Sequence, residues 1–109
     1  YYSGMQVLVP LDLKLAGTSA EAVAAGIAEY YKEGATVSVH ALNEALPENG
    51  LYSNALSGSD RMELYMTVNA AGDQMMLVSL FDNLGKGSSG AAIQCMNLML
   101  GMDETEGLE

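Results

Sequence analysis

The sequence predicts an α+β fold in which a mixed or mostly antiparallel sheet is covered by helices. Short alternating apolar segments bounded by Gly, Pro and Asn indicate strands, and two segments with apolar residues at helical spacing indicate helices. Their order is strand, helix, strand, long loop, hairpin and helix. A chain of 109 residues is long enough for one hydrophobic core. We therefore expect residues 1–109 to form a single domain.

The first strand and the first helix occupy the first third of the chain. Met5–Leu11 is a short apolar run and predicts a strand. Thr18 or Ser19 can cap a helix that runs to about Tyr31. Helical spacing places its apolar stripe at Ala22, Val23, Gly26, Ile27 and Tyr30.

The middle of the chain predicts the remaining strands. Thr36–His40 alternates between apolar and polar residues, which is typical of a strand. Residues 41–60 carry turn residues without periodicity and predict a long loop over the surface, of a length that usually serves a site or an interface. Residues 62–69 and 75–81 are two strand patterns separated by a short turn with a glycine. They predict a β-hairpin.

The last part of the chain predicts a glycine-rich break at residues 83–90 and a helix from Ser89 to about Leu100. Apolar side chains cover most of this helix, so we expect burial on more than one side. These side chains belong to Ala92, Ile93, Met96, Leu98 and Met99. Residues 102–109 form an acidic tail that we expect to be partly mobile.

The charge balance excludes a nucleic-acid-binding protein. The chain has 14 Asp and Glu residues, 4 Lys and Arg residues and a formal net charge of -10. Neutralising phosphates requires clustered cations, whereas Lys14, Lys32, Arg61 and Lys86 are scattered along the chain. Because half of the residues are hydrophobic, the chain also differs from a disordered acidic tail.

The only cysteine and the only histidine exclude several kinds of site. Cys95 and His40 are too few for an internal disulfide or for a Cys/His metal site, so we expect no metal and a reducing compartment. No apolar run approaches the roughly 20 residues that span a bilayer, and no signal peptide is evident, so we expect a cytoplasmic protein without a membrane partner. The chain begins with tyrosine rather than methionine, and we therefore expect a piece of a longer protein.

Neither Cys95 nor His40 lies in a sequence pattern typical of a catalytic residue. Cys95 lies among Ile93, Gln94, Met96 and Asn97 in the predicted last helix, so we expect a small buried residue rather than a nucleophile. His40 has no partner fixed by its spacing, and we expect a surface or packing histidine.

Residues 85–90 match the dinucleotide-binding pattern G-x-G-x-x-G and lie between a predicted strand and a predicted helix. The chain ends soon after that helix, without the further strand and acidic residue that bind the ribose. A phosphate-binding P-loop is excluded because Gly87 follows Lys86 where Ser or Thr is required. Two interpretations stay open. One is a plain turn, and the other is a helix N-terminus with free amides and one lysine that holds a group from outside the chain.

A longer motif includes this turn. Residues 82–101 read DNLGKGSSGAAIQCMNLMLG, residues 104–108 read ETEGL, and residues 56–64 read LSGSDRMEL. Together with VPL at residues 9–11, they resemble the C-terminal signature of the N-acetyl-gamma-glutamyl-phosphate reductase family. Aspartate-semialdehyde dehydrogenases share only part of this pattern. Both families belong to the glyceraldehyde-3-phosphate dehydrogenase superfamily, so the resemblance implies the C-terminal dimerisation and catalytic domain of such an enzyme.

The resemblance implies an activity for a longer parent enzyme. Such an enzyme reduces N-acetyl-glutamyl phosphate with NADPH to the semialdehyde and phosphate in arginine biosynthesis, through a cysteine nucleophile and a histidine acid-base. Their motifs are absent from this chain, and Cys95 and His40 do not match them. We therefore expect no catalytic residue here and an inert chain when it is isolated. The alternatives are an aspartate-semialdehyde dehydrogenase-like domain, a non-catalytic interaction module with the same fold, and a small enzyme that uses Cys95.

The resemblance also implies a cofactor-binding set. Asn83 matches an asparagine that lies near the nicotinamide carboxamide of NADP, and Gly85, Lys86 and Gly87 form the turn beside it. We expect the last helix, residues 89–100, to pack on the dinucleotide-binding portion of the same enzyme, and we expect a homo-oligomer. The chain alone should not bind NADP tightly.

Overall fold

The computed structural model describes residues 2–109 and contains one four-stranded sheet. The strand order is β1-β4-β3-β2; β1 pairs with β4 and β4 with β3 in antiparallel register, whereas β2 is parallel to β3. The strands are β1 Met5–Asp12, β2 Val37–Val39, β3 Met62–Val68 and β4 Gln74–Phe81. The predicted α+β class, the mixed sheet and the hairpin are confirmed.

The helices are α1 Leu13–Ala16, α2 Ala20–Tyr31 and α3 Gly90–Leu100, and the π-helical turn Gly85–Ser89 leads directly into α3. Ser19 caps α2 as predicted, because its side chain accepts a hydrogen bond from the amide of Ala22. The short helix α1 was not predicted. Asp12 caps it through the amide of Leu15, and Gly17 ends it in the left-handed conformation.

Helix α2 packs on one face of the sheet, at the end where β3 finishes and β4 begins. Leu13, Ala20, Met66 and Met75 are each 2–3% exposed and form a buried apolar cluster. Side chains of α2 and of neighbouring elements pack against it, among them Val23, Ala24 and Ile27. The predicted stripe of α2 is therefore only partly correct, since Ala22, Gly26 and Tyr30 are exposed. The buried side of the helix contains Ala20 and the residues three, four and seven positions after it.

Part of the other face of the sheet is covered by the loop of residues 41–60 rather than by a helix, while Leu8 of β1 on that face is 53% exposed. Tyr65, Val78 and Leu80 form a second buried cluster, and Leu51 and Leu56 of the loop pack against it. The loop is therefore part of the hydrophobic core as well as a surface connection. Its length is explained in part by the area of sheet that it covers.

Helix α3 is more exposed than its composition predicts. Met96, Leu98, Met99 and Leu100 are each at least half exposed, and only Gly90 and Asn97 are buried. Within this chain the helix is therefore not buried on more than one side, and its expected packing on a dinucleotide-binding portion stays a prediction. Within residues 2–109, no helix combines the length and the apolar character needed to cross a membrane.

The acidic tail is folded back onto α3 and the long loop, and its expected partial mobility stays a prediction. Asn97 is 1% exposed, and its side-chain amide donates to the carbonyls of Glu104 and Glu106 at 3.2 and 2.9 Å. The last residue is also held, since Asp60 N donates to the carbonyl of Glu109 at 2.8 Å and Glu109 N donates to the Asp60 carboxylate at 3.0 Å. The tail therefore joins α3 to the end of the long loop.

Candidate functional site

Asp82, directly after β4, organises the glycine-rich turn. It is 3% exposed, and its carboxylate accepts hydrogen bonds from the amides of Gly58 and Leu84 at 2.6 and 2.8 Å and from the hydroxyl of Ser3 at 3.0 Å. These donors, the Gly58 amide first and the Leu84 amide next, hold the pKa of Asp82 below its usual value. An ionised Asp82 thus joins the start of the chain, the long loop and the turn.

Asn83 follows Asp82, and its side chain is oriented by a backbone amide just before β1. Its Oδ1 accepts a hydrogen bond from Gly4 N at 2.8 Å. The residue is half-buried, and its Nδ2 has no hydrogen-bond partner within residues 2–109. Asn83 therefore presents a fixed amide donor at the surface, which suits a carbonyl acceptor from outside the chain.

The glycines of the turn are required by packing inside the protein. A Cβ on Gly85 would lie 2.6 Å from the carbonyl oxygen of Ser59, and one on Gly87 would lie 2.9 Å from the Phe81 ring. At Gly90 the Cβ would collide with the carboxylate of Asp60. Close approach of the loop and the sheet, rather than of a phosphate, explains why these positions are glycine.

The turn does not offer the free amides that its glycines suggested. The amides of Gly87 and Ser89 donate to the carbonyls of Asp82 and Leu84 at 2.9 and 3.2 Å, and Gly90 N donates to Gly85 O. The interpretation as a helix N-terminus with open donors is therefore wrong for these three residues. The physical reason is the π-helical geometry, in which wide helical bonds already occupy the amides before α3 begins.

Lys86 is also occupied within the protein. Its ammonium donates to the side chains of Thr36 and Gln94, at 2.8 and 2.6 Å. Arg61 is exposed and lines a cavity of about 170 Å³ with Thr36, Thr105 and Glu109 among others. The turn thus carries a positive charge that is already hydrogen-bonded, and it is poorly suited to a phosphate.

The sequence reasoning found Asn83, Gly85, Lys86 and Gly87, and the structure brings all four into this turn. It missed Asp82 as the anchor and Thr36 as a partner of the lysine. The available signal for Asp82 was an Asp at the end of a strand, where its carboxylate can accept hydrogen bonds from the backbone amides of the following turn. No local signal connects Thr36 with Lys86, since 50 residues separate them.

Curated relatives match nearly the whole chain. The sequence is 41% identical over 103 residues to N-acetyl-gamma-glutamyl-phosphate reductase of Burkholderia orbicola, a match that covers 93% of this chain and 33% of the relative. It is 37% identical over 109 residues to N-acetyl-gamma-glutamyl-phosphate reductase 2 of Pseudomonas putida, covering 98% and 35%, and 39% identical over 102 residues to the reductase of Rhizobium meliloti, covering 92% and 33%. The chain is homologous to part of the N-acetyl-gamma-glutamyl-phosphate reductases.

This result confirms the family resemblance. The chain spans about a third of the length of the reductases that it matches. No family model matches the chain. The activity named for the relatives therefore belongs to proteins about three times as long.

Compared with what a reductase active site requires, Cys95 lacks the surroundings of a nucleophile. It is exposed on α3, so the expectation that it is buried is wrong. The helix turns its apolar faces to solvent here, and Cys95 lies on one of them. The thiol has no hydrogen-bond partner within residues 2–109, and a base that would activate it is missing there.

His40 is a packing histidine, as expected. Its ring stacks on Tyr65 with centroids 3.9 Å apart, and its Nδ1 lies 3.1 Å from Glu44 Oε1. Burial, together with the hydrogen bond from its hydroxyl to Glu63, raises the pKa of Tyr65 to about 12. In the described part of the chain, three or more His, Cys, Asp or Glu residues are nowhere placed to hold a metal ion.

The site fits one part of a nicotinamide coenzyme better than another. Asn83 offers an oriented amide donor, which suits the carboxamide of the nicotinamide ring, and Leu84, the next residue, is exposed. The phosphates of the coenzyme find few free donors on Lys86, because two of its three N–H groups already donate to Thr36 and Gln94. The residues present therefore fit the carboxamide better than the phosphates.

Proposed function

We propose that this chain is the C-terminal part of an NADP-dependent reductase of arginine biosynthesis. The parent enzyme converts N-acetyl-glutamyl phosphate, NADPH and a proton to N-acetyl-glutamate semialdehyde, phosphate and NADP⁺. The observation that carries the proposal is the identity of 37–41% to such reductases over 93–98% of the chain. The ordered turn at residues 82–90, the most distinctive stretch of the motif, adds support.

NADPH, when bound, supplies the hydride. Asn83 orients the nicotinamide by donating Nδ2–H to the carboxamide oxygen, and Gly4 holds Oδ1 of the same side chain. Gly85, Lys86 and Gly87 form the turn beside Asn83. Asp82 keeps this turn in place through its three donors. A rigid donor of this kind lowers the entropy that the coenzyme loses when it is positioned for transfer.

The exposed apolar side of α3 is the surface on which the dinucleotide-binding portion of the parent enzyme packs. Met96, Leu98, Met99 and Leu100 are 50–87% exposed, which is unusual for neighbouring large apolar residues of a soluble domain. When the dinucleotide-binding portion covers these four side chains next to the turn, its phosphate-binding groups come close to Asn83. The catalytic cysteine and histidine belong to that missing portion, so the isolated chain is inert. The parent is a cytoplasmic homo-oligomer.

The test uses the full-length protein, the isolated chain and two variants of the full-length protein. We expect NADPH oxidation with N-acetyl-glutamyl phosphate by the full-length protein and none by the chain. Asn83→Ala should raise the KM for NADPH about threefold to tenfold, the range for one lost hydrogen bond. Asn49→Ala, an exposed asparagine in the long loop, is the matched control and should leave this KM unchanged.

Three outcomes contradict the proposal. A full-length protein that uses aspartyl phosphate instead of the acetylated substrate belongs to the related dehydrogenases. A full-length protein without either activity is an interaction module. A chain that reduces the substrate alone, and stops when Cys95 is changed to serine, is a small enzyme of its own.

A further inference from the structure

Lys86 lies in the turn that carries Asn83, but its ammonium is directed at groups of the protein. Nζ donates to Thr36 Oγ1 at 2.8 Å and to Gln94 Oε1 at 2.6 Å. Thr36 is 6% exposed, so one of the two acceptors is buried. Hydrogen bonds from a cation are shorter and about twice as strong as those between neutral groups. Losing them would leave buried oxygen without a donor.

Gln94 connects Lys86 with the acidic tail through two side-chain hydrogen bonds. Its Oε1 faces Lys86, and its Nε2 donates to Glu104 Oε2 at 2.8 Å. The amide therefore lies between a cation and an anion, and each of the two hydrogen bonds polarises the other. Glu104 balances the charge of Lys86 through Gln94 and without a direct ion pair.

Thr36 provides the link to the sheet. It precedes β2, and its carbonyl accepts a hydrogen bond from Met62 N at 2.8 Å, at the first residue of β3. Lys86 thus connects the turn with two strands on one side and with α3 and the tail on the other. Asp82 fixes the beginning of the turn, and Lys86 fixes its middle.

We infer that Lys86 is a positioning residue, whose side chain holds the turn that carries Asn83 and makes no contact with the coenzyme. This inference rests on the proposed function, since it assigns a role within that coenzyme site. Thr36 and Gln94 use two of the three N–H donors of the ammonium, so a phosphate could receive at most one hydrogen bond from Lys86 while both internal bonds remain. The geometry of Thr36 and Gln94 favours the internal role.

The test compares the full-length reductase with Lys86→Met, Thr36→Val and the double variant. Lys86→Met should raise the KM for NADPH about tenfold, the effect of one charge-assisted hydrogen bond, and Thr36→Val should raise it by a smaller factor in the same direction. The double variant should be no worse than Lys86→Met alone, because both changes remove the same contact. Lys14→Met removes an exposed lysine at the opposite end of the sheet and should leave this KM unchanged.

The two roles of Lys86 predict different results. If Lys86→Met raises the KM for NADPH while Thr36→Val leaves it unchanged, or if the two effects multiply in the double variant, Lys86 contacts the coenzyme and the inference is wrong. A full-length protein without reductase activity overturns the proposed function instead. In that case the midpoints of thermal unfolding of the same four proteins still test the internal contact, since a shared bond makes the two losses non-additive.

Discussion

At one end of the sheet, α2 covers an apolar cluster around Leu13 and Met66, whereas at the other end the glycine-rich turn is held by polar groups such as Asp82 and Lys86. Apolar burial is non-directional and tolerates small shifts of the elements. Hydrogen bonds to charged groups fix distances and angles. The difference shows that apolar burial stabilises the α2 end, while directional hydrogen bonds fix the geometry of the turn end.

The largest expected effect on stability comes from a substitution in the apolar cluster beneath α2. Leu13→Ala should lower the free energy of unfolding by about 2–5 kcal/mol, because it leaves a cavity beside Met66 and Met75. Leu15→Ala is the matched control in the same helix, since Leu15 is 88% exposed and Leu13 is 2% exposed. Its effect should stay within about 0.5 kcal/mol. Urea denaturation measures both, and equal losses would show that α1 is not packed on the core.

A smaller effect is expected at the polar end. Asn97→Ala removes the donor to the carbonyls of Glu104 and Glu106 and should lower the free energy of unfolding by about 1–3 kcal/mol. Asn97→Asp keeps the shape of the side chain but replaces the donor with a negative charge, so it should be at least as destabilising. If the aspartate variant unfolds at the same urea concentration as the original chain, the tail is not held by this amide.

The smallest expected effect lies between the two ends, at Glu44. The hydrogen bond from His40, and next the amide of Ala41, hold the pKa of Glu44 below its usual value of 4.5. The unfolded chain therefore binds more protons than the folded chain in this range. The stabilisation is complete above pH 4.5 and is lost as the pH falls through the lowered pKa.

Glu44→Gln should accordingly make the dependence of unfolding free energy on pH shallower between about pH 5 and pH 3. Some slope should remain, because the pKa of Asp82 and that of Asp103 are also lowered, the latter by the hydroxyl and amide of Thr105. Urea denaturation at several pH values measures the slope. An unchanged slope would show that the hydrogen bonds from His40 and Ala41 do not lower the pKa of Glu44 in solution.

The sequence was informative where structure depends on neighbours along the chain. The hairpin of β3 and β4 follows from alternation and a turn glycine, and Ser19 follows from cap chemistry. The exposure of Cys95 could not be predicted, because an apolar helix looks the same in sequence whether its cover belongs to the same chain or to another part of a longer one.

The family motif predicted Asn83 and the turn as a cofactor-binding set, and that role stays a prediction. The contacts that build the turn could not be predicted. The engagement of Lys86 depends on Thr36, and the need for glycine at Gly90 depends on Asp60, and each of these pairs joins residues distant in sequence. Periodicity and spacing report only on local structure, so such contacts were missed.

The bonds at Asp82 and Asn83 have a consequence for the order of folding. Ser3 and Gly4 reach these residues across 79 positions of the chain, whereas the hairpin and α2 close short loops. Contacts distant in sequence form late, because the entropy of closing the loop is lost before the contact is gained. We therefore expect the glycine-rich turn to be the last element to form and the first to open, so that its amides exchange hydrogen faster than those of the central strands.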